Sequence, residues 1–260
     1  MRYAGTTALI TGASSGIGAE FARRFARRGA DLVLVARRAA ALDALAAEIR
    51  ADTGRTVHVV PFDLTGDRSG HRLAEQLHGL GVEVDTVLNC AGVAHTKHFA
   101  ASSEDEIRVQ LRVNLEAVVD ISRAFLPRLT ESGRGALVNV ASLTGHLSVP
   151  GMAVYAASKA FVVRFTEALA HETRGSGLTV LVLSPGPTRT EFYETSGTAA
   201  TGVRFQTSAQ VADTAFDALD SRRPPVGVIS GSVNRWARRV VAVLPKRTAL
   251  RLLEAEPVRG

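Results

Sequence analysis

Short runs of β-branched and other apolar residues alternate along the chain with longer stretches of helical periodicity. Residues 6–10, 31–36, 56–62, 86–88, 136–141, 179–183 and 226–229 read as strands, and 16–28, 39–52, 68–79, 103–130, 154–174 and 208–221 as helices. This alternation is the mark of βαβ units and a parallel sheet. Leu32-Val33-Leu34-Val35 is apolar on both faces, so helices should cover both sides. The expected fold is α/β: one doubly wound domain with a mostly parallel sheet of about seven strands. No linker, repeat or low-complexity segment divides it.

The helix over 103–130 repays a count. Ser102 or Ser103 can cap it, and Glu104, Asp105 and Glu106 fill the first turn, where the helix dipole favours anions. Ile107, Leu111, Leu115, Val118, Ile121, Phe125 and Leu129 then recur at helical spacing and predict a buried stripe. Asn114 falls on the same face. A buried amide needs partners, since leaving it unpaired costs about 1–3 kcal/mol. A local hydrogen bond that bends the helix is the plain reading.

At 260 residues with 46% apolar content the chain can bury a sizeable core without staples. Its single cysteine, Cys90, excludes an intrachain disulfide, and no apolar run approaches the ~20 residues of a membrane span. The opening MRYAGTTALITGAS lacks a secretory layout, so a cytoplasmic protein is expected. The net charge is +6, but residues 232–260 hold seven basic groups against two acidic ones, so the rest of the chain is nearly neutral. A basic body that tracks along nucleic acid is therefore not expected, and with 5% aromatics there is little surface to stack bases. No metal site is expected either.

After the first strand comes Thr11-Gly12-Ala13-Ser14-Ser15-Gly16-Ile17-Gly18, with a helix opening near Gly16. Gly12 allows a tight turn, Gly16 lets backbone approach a pyrophosphate, and Gly18 permits close packing of helix on strand. The helix N-terminus presents unpaired N–H donors to phosphate, and Ser14 and Ser15 add hydroxyls. The same residues match G-x-S-x-G, the nucleophile elbow of α/β-hydrolases, with Ser14 as nucleophile. That elbow belongs mid-sheet and needs an acid and a histidine downstream in recognisable context, which the sequence lacks. At the end of the second strand, Ala36 removes the acidic residue that would bind a ribose 2′-hydroxyl, and Arg37 with Arg38 offers guanidinium forks suited to a 2′-phosphate. NADP(H) is expected over NAD(H).

Tyr155 and Lys159, four apart, stand on one helix face. A free phenol titrates near ~10, and a neighbouring ammonium favours its ionised form. Ser142 closes the fifth strand at the carboxyl edge, where open α/β sheets bind ligands. With the glycine loop, Asn114, Ser142, Tyr155 and Lys159 in this order, the sequence resembles a short-chain dehydrogenase/reductase of the roughly 250-residue branch. Asp63-Leu64, Asn89-Cys90-Ala91-Gly92 and Pro185-Gly186-Pro187-Thr188-Arg189-Thr190 add to the resemblance, which covers residues 4 to about 230.

The resemblance implies an oxidoreductase that interconverts a carbonyl and an alcohol with a nicotinamide cofactor. It makes Tyr155 the general acid/base, Lys159 the residue that lowers the tyrosine pKa and holds the nicotinamide ribose, Ser142 the hydrogen-bond partner of the substrate oxygen, and Asn114 the anchor of a water relaying protons to Lys159. It places Asp63 and Leu64 at the adenine, Asn89, Ala91 and Gly92 beside the cofactor, and Pro185, Gly186, Thr188 and Thr190 at the nicotinamide end. A homodimer or homotetramer is the family expectation. A catalytically idle dinucleotide-binding sensor or docking protein is the rival, against which the full catalytic set argues. Cys90 stands where the family carries a second asparagine, and it reads as a small packing residue.

Residues 191–207 lie where the family places a mobile substrate lid, with Phe192, Tyr193 and Phe205 as an apolar lining. The substrate is expected to be a small apolar carbonyl or alcohol. Residues 1–231 form the binding and catalytic body, and 232–260 a basic amphipathic extension of the same domain. In that extension Trp236, Val240, Val243 and Leu244 follow helical spacing against Arg235, Arg238 and Arg239. The pattern suits first a helix packed on its own domain or a sister subunit with its arginines solvated, and, as the alternative, one lying on an anionic membrane surface.

Overall fold

The computed structural model describes residues 3–199 and 204–254. Seven strands form one parallel sheet: β1 (Thr7–Thr11), β2 (Asp31–Ala36), β3 (Val57–Pro61), β4 (Thr86–Asn89), β5 (Ala136–Val140), β6 (Thr179–Ser184) and β7 (Gly227–Ile229). Their spatial order is β3-β2-β1-β4-β5-β6-β7. All seven expected strands are present, with ends moved by a residue or so.

Alternation along the buried strands divides the core in two. Ala8, Ile10, Leu32 and Leu34 point to one face, where they meet Phe21 and Phe25 of α1 (Gly16–Arg27), Leu42 and Leu45 of α2 (Ala39–Thr53) and Phe216 of the helix Ser208–Leu219. Leu9, Val33 and Val35 point to the other, against Leu73 and Leu77 of α3 (Ser69–Gly79) and Ile121 and Phe125. On the first face Tyr3, Phe25 and Phe216 pack edge to face, with ring centroids 5.0–5.8 Å apart. Such pairs contribute about 0.5–1.5 kcal/mol each beyond burial. Because β1 lies between β2 and β4, the chain leaves it in opposite directions on its two sides. That reversal opens a crevice at the carboxyl ends of β1 and β4.

The helix expected over 103–130 forms, but with a phase change. α4 (Glu104–Leu111) starts in a complete capping box between Ser103 and Glu106. It passes through a π-helical turn at Arg112–Glu116 into α5 (Ala117–Ser132) without leaving helical backbone. The wider turn rotates everything before it relative to the face that follows. The predicted stripe therefore holds from Val118 onward and fails ahead of it. Leu111 is 38% exposed, while Gln110, Val113 and Asn114 turn inward. π-Turns of this kind concentrate at functional positions.

The remaining helices are α6 (Ala153–Glu172), α7 (Glu191–Ser196), α8 (Ser208–Leu219), α9 (Ser232–Val243) and α10 (Lys246–Leu252). α7 lies within the expected lid, and α9 and α10 divide the C-terminal extension at Pro245.

Candidate active site

The crevice at the sheet's carboxyl edge widens into a cleft of about 990 Å³. Its floor is the loop from β1 into α1. Gly12 sits at φ +67°, and a side chain there would run into Ala91 Cα at 2.8 Å. At Gly18 a Cβ would run into the carbonyl oxygen of Gly12, so helix and strand approach as closely as the spacing predicts. Thr11, to which sequence reading gave no role, clamps the two loops together: its Oγ1 accepts from the N–H of Cys90 (3.0 Å) and of Ala91 (3.1 Å). Ser14, Ser15, Gly16 and Ile17 line the cleft along the opening of α1.

The cleft's outer end is polar and charged. Arg37 and Arg38 line it after β2, and Asp63 and Leu64 after β3. Asp63 Oδ1 accepts from the N–H and hydroxyl of Thr65, both at 2.9 Å, and the Thr65 N–H first of all holds its carboxyl below the usual range. Arg38 Nη2 donates to Ser14 Oγ at 3.0 Å and pairs with Glu191 Oε2 at 2.8 Å. Glu191 was not anticipated. It follows Thr190 directly, and no spacing signal marks it. The Arg38 guanidinium holds its carboxyl below the ordinary value, aided by Ser15.

The inner end carries the expected catalytic set. The π-turn buries Asn114 completely and leaves it well satisfied. Its Oδ1 accepts from the Val93 N–H (2.9 Å), and its Nδ2 donates to the Val93 carbonyl (2.8 Å) and Ser158 Oγ (3.3 Å). Lys159 is buried on α6, and its Nζ donates to the Val140 carbonyl at 2.9 Å. A Cβ on Gly92 would lie 3.4 Å from Lys159 Nζ and 3.5 Å from Asn114 Oδ1, so both polar groups face this glycine. Asn114 itself stands behind the wall. Asn89 likewise turns from the cleft into the sheet, donating to Asn139 Oδ1 (2.9 Å) and Ser122 Oγ (3.4 Å). Ala91 and Gly92 do line the cleft, as do Pro185, Gly186, Thr188 and Thr190 on the opposite side.

Tyr155 is buried on α6, with Ser142 hydrogen-bonded to its phenol. Burial raises the phenol well above its ordinary value, and the Ser142 hydrogen bond pulls it partly back. Lys159 Nζ lies 5.8 Å from the tyrosine ring centroid, and burial lowers the ammonium to about 8. The expected lowering of the tyrosine by its lysine is not what governs the phenol here: burial dominates, Ser142 alone pulls against it, and the phenol is held protonated. Cys90 is also pushed up, to about 12, by burial, which fits a packing residue and no reactive thiol.

Apolar walls surround the phenol. Ala94, Met152, Val149 and Phe192 cluster with Tyr155, and the Phe192 ring centroid is 5.5 Å away. The expected lid segment begins with α7, capped by Thr190, whose Oγ1 accepts from the Phe192 N–H. It is pinned by Thr198 Oγ1 at 2.6 Å from Thr96 Oγ1 and by Tyr193 packed edge-on to Phe205. Leu252, Leu253 and Glu254 from the end of α10 also line the cleft. Sequence reading missed them, although the apolar pair was a usable signal. His146 has its Nε2 3.0 Å from Ser184 Oγ and is half-buried.

Residues 6–200 match the model of the short chain dehydrogenase family. The chain is 35% identical over 182 residues to the ketoacyl reductase HetN of Nostoc sp. strain PCC 7120, a match covering 70% of this chain and 63% of that protein. Among solved structures, a short-chain dehydrogenase from Sphingobium yanoikuyae in complex with NADPH superposes with a TM-score of 0.80 at 34% identity, over 93% of this chain and 97% of that one. One from Burkholderia phymatum in complex with NAD gives 0.82 at 27% identity, over 93% and 94%. The chain belongs to the short-chain dehydrogenase family. The chain spans a little under two thirds of the length of the Nostoc reductase, and the two solved neighbours hold NADPH and NAD.

The cleft fits such a cofactor. A helix N-terminus with two hydroxyls lies at its floor, cations at its outer end, and a buried amine beside a buried phenol at its inner end.

Proposed function

We propose that this protein reduces an apolar ketone or aldehyde, or oxidises the matching secondary or primary alcohol, with NADP(H) preferred and Tyr155 as the proton-transfer group. The observation that carries this reading is buried Tyr155, with the half-buried Ser142 side chain at its phenol and buried Lys159 four residues on, at the inner end of a cleft floored by the glycine loop. The bound nicotinamide supplies or accepts the hydride.

The chain's own residues handle the proton and the position of the substrate oxygen. Tyr155 is held protonated and hydrogen-bonded, so it is ready to donate its proton to a carbonyl oxygen as negative charge builds there. Ser142 supplies a second hydrogen bond to that oxygen. The Lys159 ammonium favours the phenolate left behind. Asn114 keeps the Val93 backbone in place beside Lys159, and holding a relay water is the role the family resemblance gives it. Ala94, Val149, Met152 and Phe192 exclude water and offer no charged group to a substrate carboxylate, which supports an apolar substrate. Arg37 and Arg38 at the opposite end support the 2′-phosphate. We assign residues 1–231 as one body holding both ends of the site, assembled as a homodimer or homotetramer.

The test is Tyr155→Phe. Turnover of NADPH with a panel of apolar carbonyls should fall by orders of magnitude, about 10²–10⁴-fold for a lost proton donor, while cofactor binding is retained. Turnover equal to wild type would remove Tyr155 from the reaction and restore the idle dinucleotide-binding reading.

A further inference from the structure

The C-terminal helices present a surface that the oxidoreductase chemistry does not use. No residue of α9 is fully buried. The helix is tied to the body near its N-terminus, where Asn234 Nδ2 donates to the Ser230 carbonyl (2.8 Å) and Arg235 Nη1 to the Ile229 carbonyl (3.1 Å). Its outward face carries Val233, Trp236 and Val243, and the last two are 66% and 83% exposed. Trp236, Arg239 and Val243 are spaced by three and four residues, so a guanidinium sits within the apolar stripe. Lys246 and Arg247 follow at the exposed start of α10. From Ser221 to Leu253 the sequence has eight arginines and lysines and no aspartate or glutamate.

We propose that the outward face of α9, with the basic start of α10, docks on an anionic lipid surface. Charge complementarity selects this occupant. In a symmetric pair of copies the same patch would meet itself, setting arginine against arginine with no carboxylate between them. A phosphate-lined bilayer surface neutralises the cations while its acyl boundary takes up tryptophan and valine. Exposed valines flanking the tryptophan suit a lipid boundary and give nothing for bases to stack on. Because Leu252 and Leu253 line the cleft, docking brings the mouth of the site beside the lipid.

Trp236 is the chain's only tryptophan and so reports directly. The full-length protein is mixed with vesicles of phosphatidylglycerol and phosphatidylcholine, and separately with pure phosphatidylcholine. Flotation and tryptophan emission are then recorded. Binding to the anionic vesicles at least about tenfold tighter, with a blue-shifted emission that reverses in high salt, is expected. Arg239→Glu with Arg247→Glu should weaken binding by about tenfold or more, and Val243→Ser should reduce both binding and the emission shift. Turnover of a water-soluble carbonyl should stay unchanged in these variants, which separates this test from that of the catalytic reading. Equal binding to both vesicle types, or none, would overturn the proposal. So would an emission shift that follows protein concentration without lipid, which points to a second copy, or binding to a DNA duplex at the same salt without binding to vesicles.

Discussion

At the scale of single residues, burial sets the protonation of Tyr155 and Lys159. Tyr155 and Lys159 both lie out of water, so desolvation works against the charge of each: it raises the phenol and lowers the ammonium to about 8. At neutral pH the tyrosine carries its proton and the lysine is still largely charged, which is the state carbonyl reduction needs. As pH rises through about 8 the lysine loses its charge, and with it the stabilisation of the phenolate that proton donation leaves behind. The pH profile of kcat/KM for carbonyl reduction should therefore be level below about 8 and fall above it. Stability changes with the opposite sign. Lys159 titrates at about 8 when folded, below its ordinary 10.5. Between those values the unfolded chain binds more protons, so this group's contribution to stability rises with pH. A fall in rate above pH 8 with no loss in denaturation midpoint would match both signs. A level rate up to pH 10 would show that the charge on Lys159 is not needed.

At the scale of elements, the strands and the glycine turn were legible because they rest on local pattern. Two-faced apolar runs such as Leu32–Val35 admit only a buried parallel strand, and glycine at 12 and 18 answers contacts that exclude a Cβ. Asn114, Ser142, Tyr155 and Lys159 were singled out by their order along the chain, and the fold brings them to the inner end of one cleft or just behind its wall. The π-turn was not, since periodicity assumes a constant 3.6 residues per turn, and Leu111 was placed inside where it lies outside. Nor were the Arg38–Glu191 pair and the Leu252–Leu253 wall, because each joins segments far apart in sequence. Asn114 was marked as a buried amide in need of partners, but only the fold supplies Val93 as the partner. Asn114→Ala would leave the N–H and carbonyl of Val93 unpaired beside Lys159. Urea denaturation should show a loss of about 2 kcal/mol, the low end of the usual 1–3 for each of the two stranded groups, since Val93 is only half-buried. The m-value should not change, because the fold would persist. A variant as stable as wild type would mean that Val93 finds other partners and that the π-turn does not depend on this side chain.

At the scale of the whole molecule, one sheet separates two kinds of recognition. Its carboxyl edge puts arginines at one end of the cleft and an apolar chamber at the other, while residues 1–231 taken together are nearly neutral. Cofactor choice should therefore be decided at the outer end and be measurable as stability, since a ligand that binds only the folded state stabilises it by about 2.7 kcal/mol at a hundred times its Kd. At equal concentration NADPH should raise the melting temperature more than NADH, and in Arg37→Asp with Arg38→Asp the two cofactors should become alike. The same geometry makes Glu191 an opponent of this choice. Its carboxylate already pairs with Arg38 at 2.8 Å, so an incoming phosphate must compete for that guanidinium. Glu191→Gln removes the competing charge without shortening the side chain, and it should widen the gap between NADPH and NADH in the thermal shift. If the gap narrows instead, the carboxylate is holding Arg38 in place for the phosphate. If both cofactors gain equally, Glu191 acts on the pyrophosphate they share, and the 2′-phosphate is read by Arg37.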